Sequence, residues 1–553
     1  MNATDVSFVD TVAAHPIAWG LFVIYLVATS ALAWIGHRKT QDIASFAVGS
    51  GDMSPWIVGV TLASSVASAA TFVLNPGLVY LYGAAALMHL GVAAGIGVLI
   101  GLFSLSFGFR RVGASAGALT LPHWMGQRFG SRGMALFFAA VNLLSITFMV
   151  LIVGGLAIVM QVTLGLGHTA AVLIIIGFVF SYIFIGGTWA HAYTNTLQGL
   201  VMVVVAAIIV ASGLGELLDG GWERLAAIDP ALIAVHHPRS PLYGSLFSVW
   251  ISGFVVGFAL VCQPHILTKA LYVKSDRAVL KYLLVSTGVS VFFTALLLVG
   301  LYAHLSDIPR EAFLGANGLP AADKVVTVYI HHAFGPVLRA IIAVALMAAG
   351  MSTLDGILVA LSSIAANDLF LGLAGPLLRD RTDGERATLA HRASQVILVA
   401  LGIGTAAIAL DPPPLLSIFG QVGVFGIAAA SCAPIVFGVF GRGVPRGAAF
   451  SAAVTGLAVY VALFLWGRQA TAAGINLVEV VNGWGAWGAL FDTSMPQLGL
   501  LNPAVPATWG VISSFVVGLV AWAIAARAGG SESEDASQGT DSGSGRPAAN
   551  LGS

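Results

Sequence analysis

Apolar residues run along this chain in blocks of about twenty, separated by short polar segments. A block of that length with few charges reads as a helix that crosses a bilayer, because about 20 residues span the hydrocarbon core. Thirteen such blocks are expected, near residues 16–36, 55–82, 85–107, 133–162, 168–187, 195–215, 244–268, 278–304, 336–366, 393–410, 413–440, 446–467 and 506–527. The first does not read as a signal peptide. Asp5 and Asp10 precede it, no Lys or Arg does, and its apolar run is long.

An odd number of spans puts the two ends on opposite sides. Cytoplasmic segments carry an excess of Lys and Arg, which sets the orientation. With the N-terminus outside, 18 of the 24 basic residues fall on the cytoplasmic side, Lys269 counted among them. The other 6 are Arg224, Arg239, Arg310, Lys324, Arg339 and Arg468. The expected layout is an outer segment 1–15, a single membrane domain 16–527, and a Gly/Ser/Asp-rich, disordered cytoplasmic tail 528–553. The corresponding location is the plasma (inner) membrane.

Composition sharpens this picture by exclusion. Hydrophobic residues make up 58% of the 553, and charged residues 9%, against roughly 25% in a soluble domain. A soluble enzyme is excluded, since the polar residues could not cover such a fold. The net charge of zero offers no basic stripe for nucleic acid. Cys262 and Cys432, both in apolar runs, cannot make a disulfide scaffold or a four-cysteine metal site. Residues 113–117 match the G-x-S-x-G pattern, but in a basic linker rather than a strand–turn–helix, so the match is read as chance. The chain is not read as an enzyme, and no obligate protein partner is evident.

Ionisable groups inside a membrane are costly and usually functional. Asp355 is the one carboxylate expected within a span. Two segments carry the remaining polar chemistry. In Met53–Tyr82, Ser64, Ser65, Ser68 and Thr71 cluster at mid-span and Asn75-Pro76-Gly77 follows. Proline lacks an N–H and disfavours a helical residue before it, so an interruption there would free carbonyls for a cation. The same serines also suit a close helix-packing face. In Ala343–Phe370, Ser352 and Thr353 are adjacent hydroxyls with Asp355 two residues on. With three carbonyls they would make a five-oxygen cation site; alone, such hydroxyls back-bond to their own helix.

Four stretches resemble the sodium:solute symporter family: SFAVGSGDMSPWIVGVTLASSVASAATFVLNPGLVY, GGTWAHAYTNTLQG, CQPHILTKALYVKS and MSTLDGILVALSSIAANDLF. The resemblance covers roughly residues 16–527. It implies an all-α polytopic LeuT-type fold, with inverted five-helix repeats at about 55–215 and 244–440, one extra N-terminal helix and two extra C-terminal ones. It also implies a sodium site made by the carbonyls of Ser64, Ala67 and Ala349 and the hydroxyls of Ser352 and Thr353. Relatives often have Thr-Asp where this chain has Thr194-Asn195, on the sodium exit route, and some have Asp or Asn where this chain has Val66. Asn195 and Asp355 are accordingly assigned to the ion pathway.

The solute site implied by the resemblance takes Ser68 and Thr71 from the broken helix, His89 from the third span, Val256, Phe258 and Leu260 from the seventh, and Ser417 and Gln421 from the eleventh. His89 also reads as a packed hydrogen-bonding residue, and Gln263 and His265 as ties for the helix end. The lining is poor in amides, which disfavours a sugar, and has no carboxylate for an isolated cation. The expected activity is sodium-coupled symport of a monocarboxylate or amino-acid-like zwitterion by alternating access. Proton coupling on the same fold through Asp355, and solute sensing without net transport, are the alternatives.

Overall fold

The computed structural model describes residues 8–40, 43–315, 318–378, 380–413, 416–485, 488 and 491–538. The described residues form helices joined by turns, with one isolated bridge between Leu314 and Pro320. Ten helices are long and apolar enough to cross a membrane, or eleven if the bent pair Phe247–Leu260 and Pro264–Tyr272 is one span. Two shorter apolar helices, Pro55–Val66 and His168–Phe184, add to these.

Glycines with φ near +55° divide two of the long helical runs. Gly83 (φ 56°, ψ −139°) lies within Asn75–Leu87, and Gly187 (φ 55°, ψ −145°) within His168–Leu218. An L side chain is strained in that region of backbone space. Gly83 is doubly constrained, since a Cβ there would stand 2.1 Å from the Leu232 carbonyl oxygen.

The centre of the bundle is Pro336–Ile364. Proline in its first turn starts it, and nearly every residue from Ala340 onward is buried. A helix apolar on all sides belongs inside a bundle. It packs on His168–Leu218, on Ile146–Leu164 and on Pro16–His37. A second core gathers Leu416–Phe440, Ala94–Ser115 and Ser252–Leu260. There the backbones nearly touch: a Cβ on Gly97 would lie 2.2 Å from Phe254 O, and one on Gly257 2.2 Å from Ala94 O. Small residues at such crossings supply dispersion contact where lipid gives no hydrophobic drive.

Two expectations need correction. Lys269 is not a loop charge at the membrane edge but is buried, 1% exposed, inside the bundle. Asp355 is also not the only carboxylate in a span: Asp368, in the π-helical turn Ala365–Phe370, is buried and accepts from Thr120 Oγ1 and Asn367 Nδ2. The G-x-S-x-G stretch begins in the last turn of Ala94–Ser115, with no strand before it. The last helix, Ala504–Gln538, carries into the stretch from 528 expected to be a tail, and 539–553 lie outside the described residues.

Candidate cation and solute site

The helix Pro55–Val66 stops at Ala67, where φ −84° and ψ 84° give an inverse γ-turn. The Ser68 amide turns back to the Val66 carbonyl at 3.1 Å instead of continuing the ladder to Ser64. A π-helical turn, Ala70–Leu74, follows, and the Ser68 hydroxyl accepts from the Ala70 amide at 3.1 Å. Asn75-Pro76-Gly77, the expected break point, instead opens the helix Asn75–Leu87, with Pro76 in its first turn. The physical reason is that proline is tolerated at a helix start, where its missing N–H is not needed.

The interruption frees the carbonyls of Ser64 and Ser65, and both are met by the central helix. Ser352 Oγ lies 2.9 Å from Ser64 O and 2.8 Å from Ala349 O, its single hydrogen shared between the two acceptors. Thr353 Oγ1 donates to Ser65 O at 3.0 Å. Asn195 joins them, its Nδ2 donating to Ser65 Oγ at 3.1 Å and to Ser352 O at 2.9 Å. Its Oδ1 is buried without a hydrogen-bond partner among the described residues. Gly199 lets this helix approach, since a Cβ there would be 2.2 Å from Ser64 Oγ. Ser64, Ala67, Ala349, Ser352, Thr353 and Asn195 are all buried, so one dry cluster collects five of the six residues around uncharged oxygens, with Ala67 at the break itself. Such oxygens suit an alkali cation in chemistry, being hard and neutral.

Asp355 lies on the same helix, one turn away. Its Oδ1 accepts from His191 Nδ1 at 2.9 Å, and its Oδ2 from Tyr182 at 3.1 Å and Thr194 at 3.2 Å. Lys269 completes the arrangement. Its Nζ donates to His265 O at 2.8 Å, Ser65 Oγ at 3.2 Å and His191 Nε2 at 3.3 Å. Gly356 makes room, for a Cβ there would stand 3.1 Å from His191 Cε1 and 3.3 Å from Ser65 Oγ. His191 and Lys269 escaped the sequence reading although both sit in the quoted stretches. Each is a single polar residue, and Lys269 closes an apolar block as boundary charges do.

A sequence model described as the sodium:solute symporter family matches residues 46–456. The chain belongs to that family. It is similar to the sodium/pantothenate symporter of Haemophilus influenzae, 26% identical over 80% of this chain and 89% of that one. It is similar to the sodium/pantothenate symporter of Escherichia coli, 25% identical over 87% of this chain and 98% of the other. A sodium/proline symporter of Staphylococcus aureus is 23% identical over 81% and 85%. Among solved structures, a Na+-coupled sialic acid symporter in a substrate-bound, outward-open state matches with a TM-score of 0.71, 15% identity, and 92% and 97% coverage. That likeness concerns the fold.

The expected solute residues are spread over several helices. Thr71 is half-buried in the π-helical turn after the break, beside Ser68. His89 Nδ1 pairs with Ser248 O at 2.8 Å, and its ring packs near Tyr243. Val256, Phe258 and Leu260 line the second core, whereas the residues that follow the break line the first. Ser417 and Gln421 are half-buried near the start of Leu416–Phe440. Gln263 does tie its helix end, donating to Val424 O at 2.8 Å. His265 offers its carbonyl to Lys269, while its Nδ1 has no partner among the described residues. A cavity of about 370 Å3 lies elsewhere, lined by His15, His331 and Arg339 among others.

Proposed function

We propose that the chain is a sodium-coupled symporter of a small organic solute, most suitably a monocarboxylate or an amino-acid-like zwitterion, working by alternating access. The observation that carries this reading is the seating of the Ser352 and Thr353 hydroxyls on the carbonyls freed at the break, 2.9 and 3.0 Å away. Rotation of those two hydroxyl hydrogens away from the carbonyls leaves a lone pair of each oxygen free to face an ion. With the carbonyls of Ser64, Ala67 and Ala349 they then make a neutral sodium cage, and Asn195 Oδ1 is a buried spare acceptor at its edge. A sodium ion there clamps the broken helix to the central helix. That clamp fixes the neighbouring Ser68 and Thr71, so ion and solute raise each other's affinity reciprocally. The sodium gradient and the membrane potential, about 2.3 kcal/mol per charge per 100 mV, then drive uptake.

The same reading takes the thirteen spans, the inverted repeats at about 55–215 and 244–440, and a plasma-membrane orientation with the N-terminus outside. Asn195 and Asp355 border the ion's path, and His89, Val256, Phe258, Leu260, Ser417 and Gln421 remain solute candidates. The names of the relatives, pantothenate and proline symporters, support a carboxylate-bearing solute.

The test is uptake into proteoliposomes of labelled small carboxylates and amino acids under an inward sodium gradient with pH fixed on both sides. Uptake above a potassium control is expected for at least one carboxylate. A second reading, proton coupling, draws on the buried Asp355–His191–Lys269 contacts. Uptake driven by a pH gradient at equal sodium, with none driven by sodium, would establish it in place of the first.

A further inference from the structure

Lys269 is the only buried Lys or Arg side chain among the described residues, and Asp355 and Asp368 are the only buried carboxylates. Asp368 is engaged elsewhere, by Thr120 and Asn367. With Lys269 as an ammonium group and Asp355 as a carboxylate, the first can only donate and the second only accept, and the imidazole between them is then neutral with its proton on Nδ1. Lysine and aspartate thereby balance each other through His191. The proposed sodium cage offers five uncharged oxygens and no counter-charge of its own. Its nearest carboxylate is already matched to an ammonium group.

That ammonium group also touches the cage's wall. Its partner Ser65 Oγ belongs to the residue whose carbonyl receives Thr353 and whose hydroxyl receives Asn195. Around it stand His191 and Asp355 from the two packed long helices, and His265 from its own. Tyr182 and Tyr25 lie beyond Asp355, and Tyr272 beside it. The helices Ile43–Val48 and Pro55–Val66, also packed on this segment, bring no ionisable residue. Ala94–Ser115 brings Arg110 and Arg111, both engaged with Asp276.

We infer that Lys269 is a tethered cation that competes electrostatically with sodium and so sets the sodium affinity of this transporter. It is a specificity-determining residue that acts by charge without ligating the ion. Resting on the sodium-coupled reading, the inference goes beyond it in making Lys269 a brake on sodium binding and Asp355 its counterweight. A unit charge on the order of 6 Å away in a medium of effective dielectric ~20 changes an affinity by about a hundredfold, and side-chain relaxation leaves at least about tenfold.

The experiment titrates NaCl against purified full-length protein in detergent, with choline chloride holding ionic strength constant, and reads thermal stability and tryptophan fluorescence. Lys269→Met should bind sodium at least about tenfold more tightly than the unaltered protein, while melting lower in choline, because Ser65, His191 and Asp355 lose a partner. Asp355→Asn should bind sodium at least about tenfold more weakly, because the ammonium charge is then unopposed. Lys269→Arg should stay near the starting affinity. Opposite signs for the first two variants are what a merely structural role cannot produce. Weakening in both, or no change in either, would overturn the inference. If Lys269→Met does not yield folded protein, Lys269→Gln replaces it and should show the same tightening; unchanged sodium affinity in Asp355→Asn is an overturning result in either case. Absence of any sodium response in the unaltered protein would sink the sodium-coupled reading and this inference with it, whereas sodium binding without opposite shifts sinks the inference alone.

Discussion

Replacing Ser352 by alanine removes one hydroxyl and nothing else of size. In the structure that hydroxyl bridges Ser64 O at 2.9 Å and Ala349 O at 2.8 Å, in a fully buried position. Ala349 O keeps its place in the helical ladder, but Ser64 O has been taken out of its own ladder by the break and is left bare. An unsatisfied buried carbonyl costs about 1–3 kcal/mol, so the variant should melt lower in potassium. A polar group facing an ion contributes about 1.5–3 kcal/mol. Losing it should therefore raise the sodium concentration at half-saturation by roughly 10- to 100-fold. Thr353→Val should act in the same direction. The double variant should fall short of the sum, since both hydroxyls serve one break. The assay is sodium-dependent thermal stabilisation of purified protein against a potassium control. Ser362→Ala is the matched control: Ser362 is buried on the same helix but donates only to Val359 O at 3.1 Å on its own turn. A folded Ser352→Ala protein with a sodium response within twofold of the starting protein would refute the cage.

Three further outcomes follow from particular contacts. Asn195→Asp puts a carboxylate where a buried amide oxygen lacks a partner, so sodium affinity should rise by about tenfold, as one close charge at the site would give; unchanged affinity in the sodium titration would remove Asn195 from the ion's path. Gly83→Ala forces a Cβ toward the Leu232 carbonyl, 2.1 Å away, at φ 56°. Folded yield by size-exclusion chromatography should fall sharply, and a monodisperse variant would count against the turn. Asp276→Asn releases Arg110 and Arg111, whose Nε atoms donate at 3.1 and 2.9 Å at a partly exposed site. The loss should be at most about 1 kcal/mol and should shrink at high salt, read as a small salt-dependent change in melting temperature.

The chain's apolar blocks determined by themselves that it lives in a membrane, and where most of its long helices lie, because spanning a bilayer is a local demand of length and composition. The pairing of Ser352 with Thr353 was legible for the same reason, as two hydroxyls side by side in an apolar run. Where the helix from Pro55 breaks was legible only through the resemblance, which put freed carbonyls at Ser64 and Ala67; the residues by themselves pointed to Asn75-Pro76-Gly77. Pro76 reads alike whether it interrupts a helix or starts one, and the tertiary structure put the break at Ala67, where the central helix supplies donors for the freed carbonyls. Lys269 shows the limit most sharply. A lysine at the end of an apolar block is a boundary charge unless something inside receives it, and two of its three receivers, Ser65 and His191, lie far off in sequence. Only the packed bundle brings those groups to one amine, because burying a charge depends on partners that local sequence does not contain.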